Sequence, residues 1–582
     1  MAYKLIAAAR ARWRAVDAPQ LVALVPSAFD FESYRLVYSE HSLGWTLPAR
    51  SRPKDTMNHF TGNVLLDELI ASAQARPHVT AVVEAKTGRS LSFEELLARA
   101  AAAGRSMVAA GARPGSNVVM TGSLDLDFVV ACFGAFTEDI TPALLDPNSS
   151  EATLRQCINE LEATVWATTS KLDDTLGLTH FDPTGIAVST TADEAEPQWS
   201  PTCDVLDPIL MLYTSGTTGI PKGVPWASRE LSSQIRYYSA ATEIQTEFCL
   251  FPHLALVAIA IGRTAVLPDV TTLQPLRIPI ESVHRQMMKH GCDYVFASPL
   301  VWDRLVRFLK ESGEEAPPIK IAATAGSALS GRLIERISAT LPQTTVRIPF
   351  ASTEAVMPIT VIDAPEFVYL SKTRTYAGAG VPLGAVADEM SVGVVPIESD
   401  ESDFSIGRSS LPSMEVGEIV VTGSRVTRTY FRRPDVECHA KLRDVVTERV
   451  WHRTADLGYI DDKGRLWFVC RKKDVIRRAG GGDLYPDALE QMWNMATGAS
   501  ISAVVYSEPS DELFYVLPGD SVAEIDEFVL NLQADRADVP RPTVVTLSGS
   551  LPADVRHNSK VDRPSVLRIV ESQHETNEGA RG

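Results

Sequence analysis

The residues best suited to chemistry lie in one short run, Thr214-Ser-Gly-Thr-Thr-Gly-Ile-Pro-Lys-Gly223. Gly216, Gly219 and Gly223 let the backbone turn tightly and approach anionic oxygens, because a residue without a Cβ reaches conformations closed to the others. The hydroxyls of Ser215, Thr217 and Thr218 and the ammonium of Lys222 add donors and positive charge. That is chemistry for a triphosphate. The run departs from the nucleotide-binding pattern G-x-x-x-x-G-K-[ST], since Pro221 stands in place of its second glycine and Gly223 follows the lysine, so a P-loop NTPase is disfavoured. The plain alternative is a flexible Gly/Ser/Thr turn.

Regular elements must hold this run in place. The apolar stretch 209–213 reads as a buried strand leading straight into it. Upstream, Ser92-Phe-Glu-Glu95 matches a capping box ahead of a helix over 96–110, ended by Gly111 and Pro114. A strand over 117–121, a helix over 128–136 and a strand over 142–145 follow. Downstream, 294–297, 319–324 and 345–348 read as further strands separated by helical stretches, and 418–422 opens a more β-rich part. This alternation predicts an α/β fold with parallel sheets. The predicted organisation is an N-terminal extension over 1–62, a large N-terminal domain of stacked αβ sheets plus a β-rich subdomain over 63–473, a small α+β C-terminal domain over 474–570, and a disordered polar tail over 571–582.

Composition narrows the class. A chain of 582 residues with 45% hydrophobic content is long enough for several cores. Its 73 acidic against 55 basic residues, a net charge of −18, argue against a nucleic-acid binder that works by neutralising phosphates. The 7 cysteines form no C-x-x-C pair, so neither zinc nor a disulfide framework is indicated, and they read as small core residues in a reducing cytoplasm. The apolar stretch 254–262, bounded by His253 and Arg263, falls short of the ~20 residues of a membrane helix, and no integral membrane segment is expected. Lys4, Arg10, Arg12 and Arg14 precede the first acid, Asp17, and interrupt any signal-like apolar core. They read as a peripheral amphipathic helix docked on its own domain or on a partner, such as another enzyme of the same pathway.

Beyond the glycine-rich run, further motifs follow in a fixed order: Phe350-Ala-Ser-Thr-Glu354, Thr454-Ala-Asp-Leu-Gly458, Arg471-Lys-Lys-Asp-Val-Ile476, Tyr485-Pro486 with Glu490, and Lys560. Together they resemble the acyl-adenylating superfamily, which includes acyl-CoA synthetases, peptide-synthetase adenylation domains and firefly luciferase. Their counterparts there are its signature loop, its Y-G-x-T-E, T-G-D-L-G, R-x-x-D-x-I and Y-P-x-x-x-E segments, and its C-terminal catalytic lysine. The resemblance implies ATP and Mg²⁺. Thr353 and Glu354 would hold phosphate and Mg²⁺, and Phe350 would stack on adenine with Gly326, Ser327 and Ala328 nearby. Asp456 would accept hydrogen bonds from the ribose with Arg471 assisting, and Lys560 would bridge the carboxylate and the α-phosphate. It also implies a mobile C-terminal domain that swings about Lys473. Taken singly, Glu354 reads equally as a surface acid, Asp456 as a turn residue and Lys560 as a solvated lysine. His253 either faces an acyl pocket or is a satisfied histidine ahead of an apolar helix.

A finer resemblance is to the OleC-type β-lactone synthetases. It rests on Ala553-Asp-Val-Arg-His-Asn-Ser-Lys560, Leu145-Asp-Pro147, Leu154-Arg-Gln-Cys157, Leu250-Phe-Pro252 and Val450-Trp-His-Arg453, and it spans about 63–570. It implies a β-hydroxy acid substrate, activated as acyl-AMP and cyclised on its own hydroxyl. Phe350-Ala351 in place of Y-G, Glu138-Asp-Ile140 in place of G-A-V, and a 471–490 stretch closer to acyl-CoA synthetases depart from that pattern. Acyl-CoA ligation, and a degenerate nucleotide-binding scaffold, are the competing readings.

Overall fold

The structure is a computed structural model. It describes residues 61–146, 149–168, 179–182, 206–214, 221–270, 275, 277–327, 329–398, 403–478, 482–499, 501–519, 539–549, 551–552 and 561–579. The helix expected near the N-terminus lies outside them.

Local signals set the first elements. Ser92 Oγ accepts from the Glu95 amide at 3.2 Å, and Glu95 Oε2 accepts from the Ser92 amide at 2.8 Å, closing the capping box that starts helix Phe93–Ala109. Strand Asn117–Thr121 lies where its apolar run predicts, followed by helix Leu126–Thr137, whose N-cap Asp125 accepts from the Phe128 amide at 2.8 Å. That helix is buried on nearly every side, because it lies in the core cluster that also takes Leu65, Leu69, Phe93 and Leu256.

Two sheets carry the large domain. In the smaller, the strands run Thr179–Phe181, Val165–Thr168, Asn117–Thr121, Thr141–Leu144, Pro208–Thr214 and Lys222–Ala227. All pair in parallel except the last, which returns antiparallel on Pro208–Thr214. In the larger sheet a parallel block contains Thr80–Glu84, Thr264–Leu267, Thr246–Phe248, Tyr294–Ala297, Ile321–Thr324 and Thr345–Ser352. It passes into an antiparallel block of Ala355–Asp363, Val381–Val386, Leu466–Arg471, Val450–Ile460, Gly417–Gly423 and Met390–Val395. The β-rich part therefore opens with Ala355–Asp363, earlier than the 418–422 run that marks it in the sequence. Helix-connected parallel strands covered on both faces define an α/β fold, as the alternation predicts.

Toward the C-terminus, strands Ala503–Ser507, Glu512–Pro518 and Thr543–Leu547 form a separate small sheet against helices Pro486–Thr497 and Arg563–Gly579. This last helix corrects the expectation of a disordered tail from residue 571. Val566 and Val570 pack against Val505, Phe514 and Leu551, and Glu571 Oε1 accepts from Ser507 Oγ at 2.8 Å, so the anchored turns propagate through Gly579 despite the polar sequence.

Cys132, Cys157, Cys249, Cys292 and Cys470 are buried and unbridged, as core residues should be, while Cys438 is exposed. Among the described residues no helix is long and apolar enough to cross a membrane, and the apolar stretch after His253 forms the short buried helix Pro252–Ala260.

Candidate active site

Thr214, Ser327, Thr353 and Glu354 lie at or just beyond the ends of strands paired in parallel, the usual location for ligands in open α/β sheets. Thr214 ends the Pro208–Thr214 strand and pairs directly with Lys222 across the antiparallel return. The two ends of the glycine-rich run are thus held at one rung of a ladder. Ser215, Gly216, Thr217, Thr218 and Gly219 themselves lie outside the described residues, as do Ala328 and Lys560. Gly223 packs closely: a Cβ there would stand 3.2 Å from Phe431 Cβ and 3.4 Å from Met211 Sδ.

Thr353 and Glu354 follow strand Thr345–Ser352 in a turn closed by Ser352 Oγ, which accepts from the Ala355 amide at 3.1 Å. The Trp226 indole donates to the Thr353 carbonyl at 2.8 Å, and the Thr427 amide and hydroxyl donate to the Glu354 carbonyl at 3.0 and 3.1 Å. Tyr430 Oη donates to Glu354 Oε1 at 2.8 Å. Lys222 Nζ lies 5.7 Å and Lys441 Nζ 5.5 Å from the centre of the same Tyr430 ring, so the glycine-rich run's lysine and the glutamate meet through one tyrosine.

Electrostatics keep this carboxylate charged. Burial pushes Glu354 up, but the neighbouring His452 and Lys441 and the Tyr430 hydroxyl outweigh it and hold it below the usual carboxylate range. Burial, aided by Lys441, depresses His452 to about 3, so that ring is neutral at pH 7 and the ammonium of Lys441 is the effective countercharge. Burial lowers Lys441 to about 8, still mostly protonated at neutral pH, with Glu354 opposing the shift. Burial also keeps the Tyr430 hydroxyl protonated, and Glu354 reinforces this. A charged carboxylate that follows a threonine in the chain and lies near two lysines offers a hard oxygen donor next to anion-binding groups, which fits Mg²⁺ carried on a polyphosphate.

His253 reaches the Thr353 turn through Trp226. Its ring lies edge-on to Trp226 at 5.3 Å and beside Phe251 at 6.1 Å, and Phe251 in turn packs on Phe296 at 5.3 Å. Burial depresses it to about 4, leaving a neutral imidazole linked to the Thr353 turn through Trp226.

Asp456 and Arg471 face each other as register partners on Val450–Ile460 and Leu466–Arg471, with Arg471 Nε 2.9 Å from Asp456 Oδ1. The Asp456 amide donates to Thr454 Oγ1 at 3.1 Å, and between them Ala455 takes a left-handed φ of +57°. Asp456 stands four residues beyond His452 on the same strand, with a register shift against Gly417–Gly423 between them. Gly326, at φ +101°, and Ser327 follow strand Ile321–Thr324, and Phe350 packs half-buried against Ala355, Ile359 and Leu466.

Sequence reasoning missed Trp226, Thr427, Tyr430 and Lys441. No local pattern marks them, since they meet Thr353 and Glu354 only through tertiary pairing. His452 carried a signal in its Val450-Trp-His-Arg453 segment.

The most similar relatives include proteins named olefin beta-lactone synthetase. The one from Xanthomonas campestris pv. campestris is 29% identical over 81% of this chain and 90% of its own length. The one from Stenotrophomonas maltophilia is 28% identical over the same shares. Among solved structures, O-succinylbenzoate coenzyme A synthetase from Bacillus subtilis, in complex with ATP and magnesium ion, superposes with a TM-score of 0.68 at 19% identity, covering 85% of this chain and 98% of that one, and so shares the fold. The family described as AMP-binding enzyme matches residues 69–431, more than half of the sequence, and this chain belongs to it as an adenylate-forming enzyme.

Proposed function

We propose that the protein activates a β-hydroxy carboxylic acid with ATP and closes it to a β-lactone, releasing pyrophosphate and AMP. The observation that carries this reading is the likeness to the olefin beta-lactone synthetases over 81% of the chain. The cluster that links Lys222 to Glu354 through Tyr430 supports the nucleotide chemistry it requires.

In the first step a carboxylate oxygen attacks the α-phosphorus and the bond to pyrophosphate breaks. The run from Thr214 through Gly219, with Lys222, holds the phosphates. Thr353 and Glu354 hold Mg²⁺, which when bound supplies positive charge to the triphosphate. Phe350, Gly326, Ser327 and Ala328 take the adenine, and Asp456 with Arg471 takes the ribose. Lys560 approaches by rotation of the C-terminal domain about Lys473 and neutralises charge building between the carboxylate and the α-phosphate. A unit charge ~4 Å away is worth about 4 kcal/mol at an effective dielectric near 20.

In the second step the substrate's β-hydroxyl oxygen attacks the carbonyl carbon, the bond to AMP breaks, and the hydroxyl proton leaves with it. A nucleophile on the same molecule gains an effective molarity of up to ~10⁵ M or more when aligned, which offsets part of the ring strain. His253, neutral at pH 7, accepts a hydrogen bond from that hydroxyl and orients it, being too weak a base to hold the proton.

ATP–pyrophosphate exchange driven by β-hydroxy acids tests the first step. Lys560→Ala should abolish exchange while leaving ATP binding largely intact. Exchange at the wild-type rate in that variant would overturn the role given to Lys560.

A further inference from the structure

The segment Thr427–Phe431 touches both halves of the phosphate site. At one end it holds Glu354, through the Thr427 amide and hydroxyl on the carbonyl and through Tyr430 Oη on the carboxylate at 2.8 Å. At the other, the Phe431 amide donates to the Gly223 carbonyl at 2.8 Å, just past Lys222. Tyr430 is only 5% exposed, and its ring lies within cation–π distance of both Lys222 and Lys441. The tyrosine itself is anchored, because its amide donates to Glu437 Oε2 at 3.3 Å. A glutamate side chain has three rotatable bonds. Ordering it needs a partner that engages one oxygen and leaves the other, and a buried phenol with a fixed direction does this where a mobile lysine would not.

We propose that Tyr430 is the positioning residue of the magnesium carboxylate: it engages Glu354 Oε1 and turns Oε2 toward the cation carried by the triphosphate, while its backbone neighbour ties the same unit to the exit of the glycine-rich run. This rests on the assignment of Glu354 to the cation. Thr427–Phe431 is thus a strap that sets the distance between the cation ligand and Lys222.

Tyr430→Phe tests it, since the ring and its packing on both lysines stay and only the hydroxyl is lost. Mn²⁺ serves as the probe, with its binding to the protein–ATP complex followed by electron paramagnetic resonance, and ATP binding in EDTA is measured by calorimetry. Tyr430→Phe should weaken Mn²⁺ binding about tenfold, the worth of one hydrogen bond to a charged group, and leave metal-free ATP binding within about twofold. Glu354→Gln should weaken Mn²⁺ binding further, and Tyr430→Phe added to it should have no additional effect. Unchanged Mn²⁺ binding in Glu354→Gln would sink the assignment of the cation to Glu354. A loss in Glu354→Gln with none in Tyr430→Phe would overturn the positioning role alone, as would an equal loss of metal-free ATP binding in Tyr430→Phe, which marks a merely structural hydroxyl.

Discussion

Ala455→Gly should stabilise the protein, against the usual sign for a mutation to glycine. Ala455 sits at φ +57° between Thr454, whose hydroxyl accepts from the Asp456 amide, and Asp456 itself. A residue with a Cβ in this region costs roughly 1–2 kcal/mol, because the Cβ crowds the following carbonyl. Glycine escapes that cost, but its freer unfolded chain forfeits roughly 0.5–1 kcal/mol. The difference leaves a gain of about 0.5–1 kcal/mol, or a rise of roughly half a degree to one degree in Tm for a chain of this size. Thermal unfolding of the two proteins side by side measures it, with calorimetric ATP titration as the functional companion. ATP affinity should change less than about twofold, since Arg471 still aligns the Asp456 carboxylate. A glycine variant that unfolds below the wild type would refute the reasoning, by showing that the Ala455 methyl contributes more packing than its conformation costs. Ala455→Val should destabilise, being both strained and β-branched.

Asp456→Asn should weaken ATP binding about 10- to 100-fold by removing the charge of the proposed ribose acceptor, read by calorimetry. Arg563 is 13% exposed and pairs with Asp474 at 3.1 Å, Asp487 at 3.2 Å and Glu490 at 2.8 Å, so Arg563→Ala leaves buried carboxylates unpaired. It should cost roughly 3–5 kcal/mol, seen as early unfolding and proteolysis of the C-terminal region. His452 is depressed from 6.5 to about 3, mainly by burial, so the folded state binds its proton more weakly than the unfolded chain. Its contribution to stability is present above pH 6.5 and is lost as pH falls, by about 1.4 kcal/mol per unit. His452→Gln should flatten stability against pH between 6.5 and 4.

The elements legible in the sequence were those fixed locally. The capping box at Ser92, the strand Asn117–Thr121 and the strand Tyr294–Ala297 follow from a side chain reaching three residues along or from an apolar run bounded by breakers. Ordered motifs named Thr353, Glu354, Asp456 and Arg471, and the structure joins the first pair to Lys222 and the second pair to each other. The antiparallel return Lys222–Ala227, the placement of Lys441 opposite His452 and the arrival of Tyr430 at Glu354 depend on sheet pairing between distant segments, which no local period encodes. The helix through Gly579 escaped notice because its polar composition hides Val566 and Val570, on which it is anchored.

The most direct test of the proposed reaction is product analysis by mass spectrometry after incubation with a β-hydroxy acid panel, ATP and Mg²⁺ in the absence of coenzyme A. The prediction is a β-lactone formed in equal amount with AMP, and its loss when the β-hydroxyl is replaced by hydrogen. A product that appears only when coenzyme A is supplied, as a thioester, would contradict it.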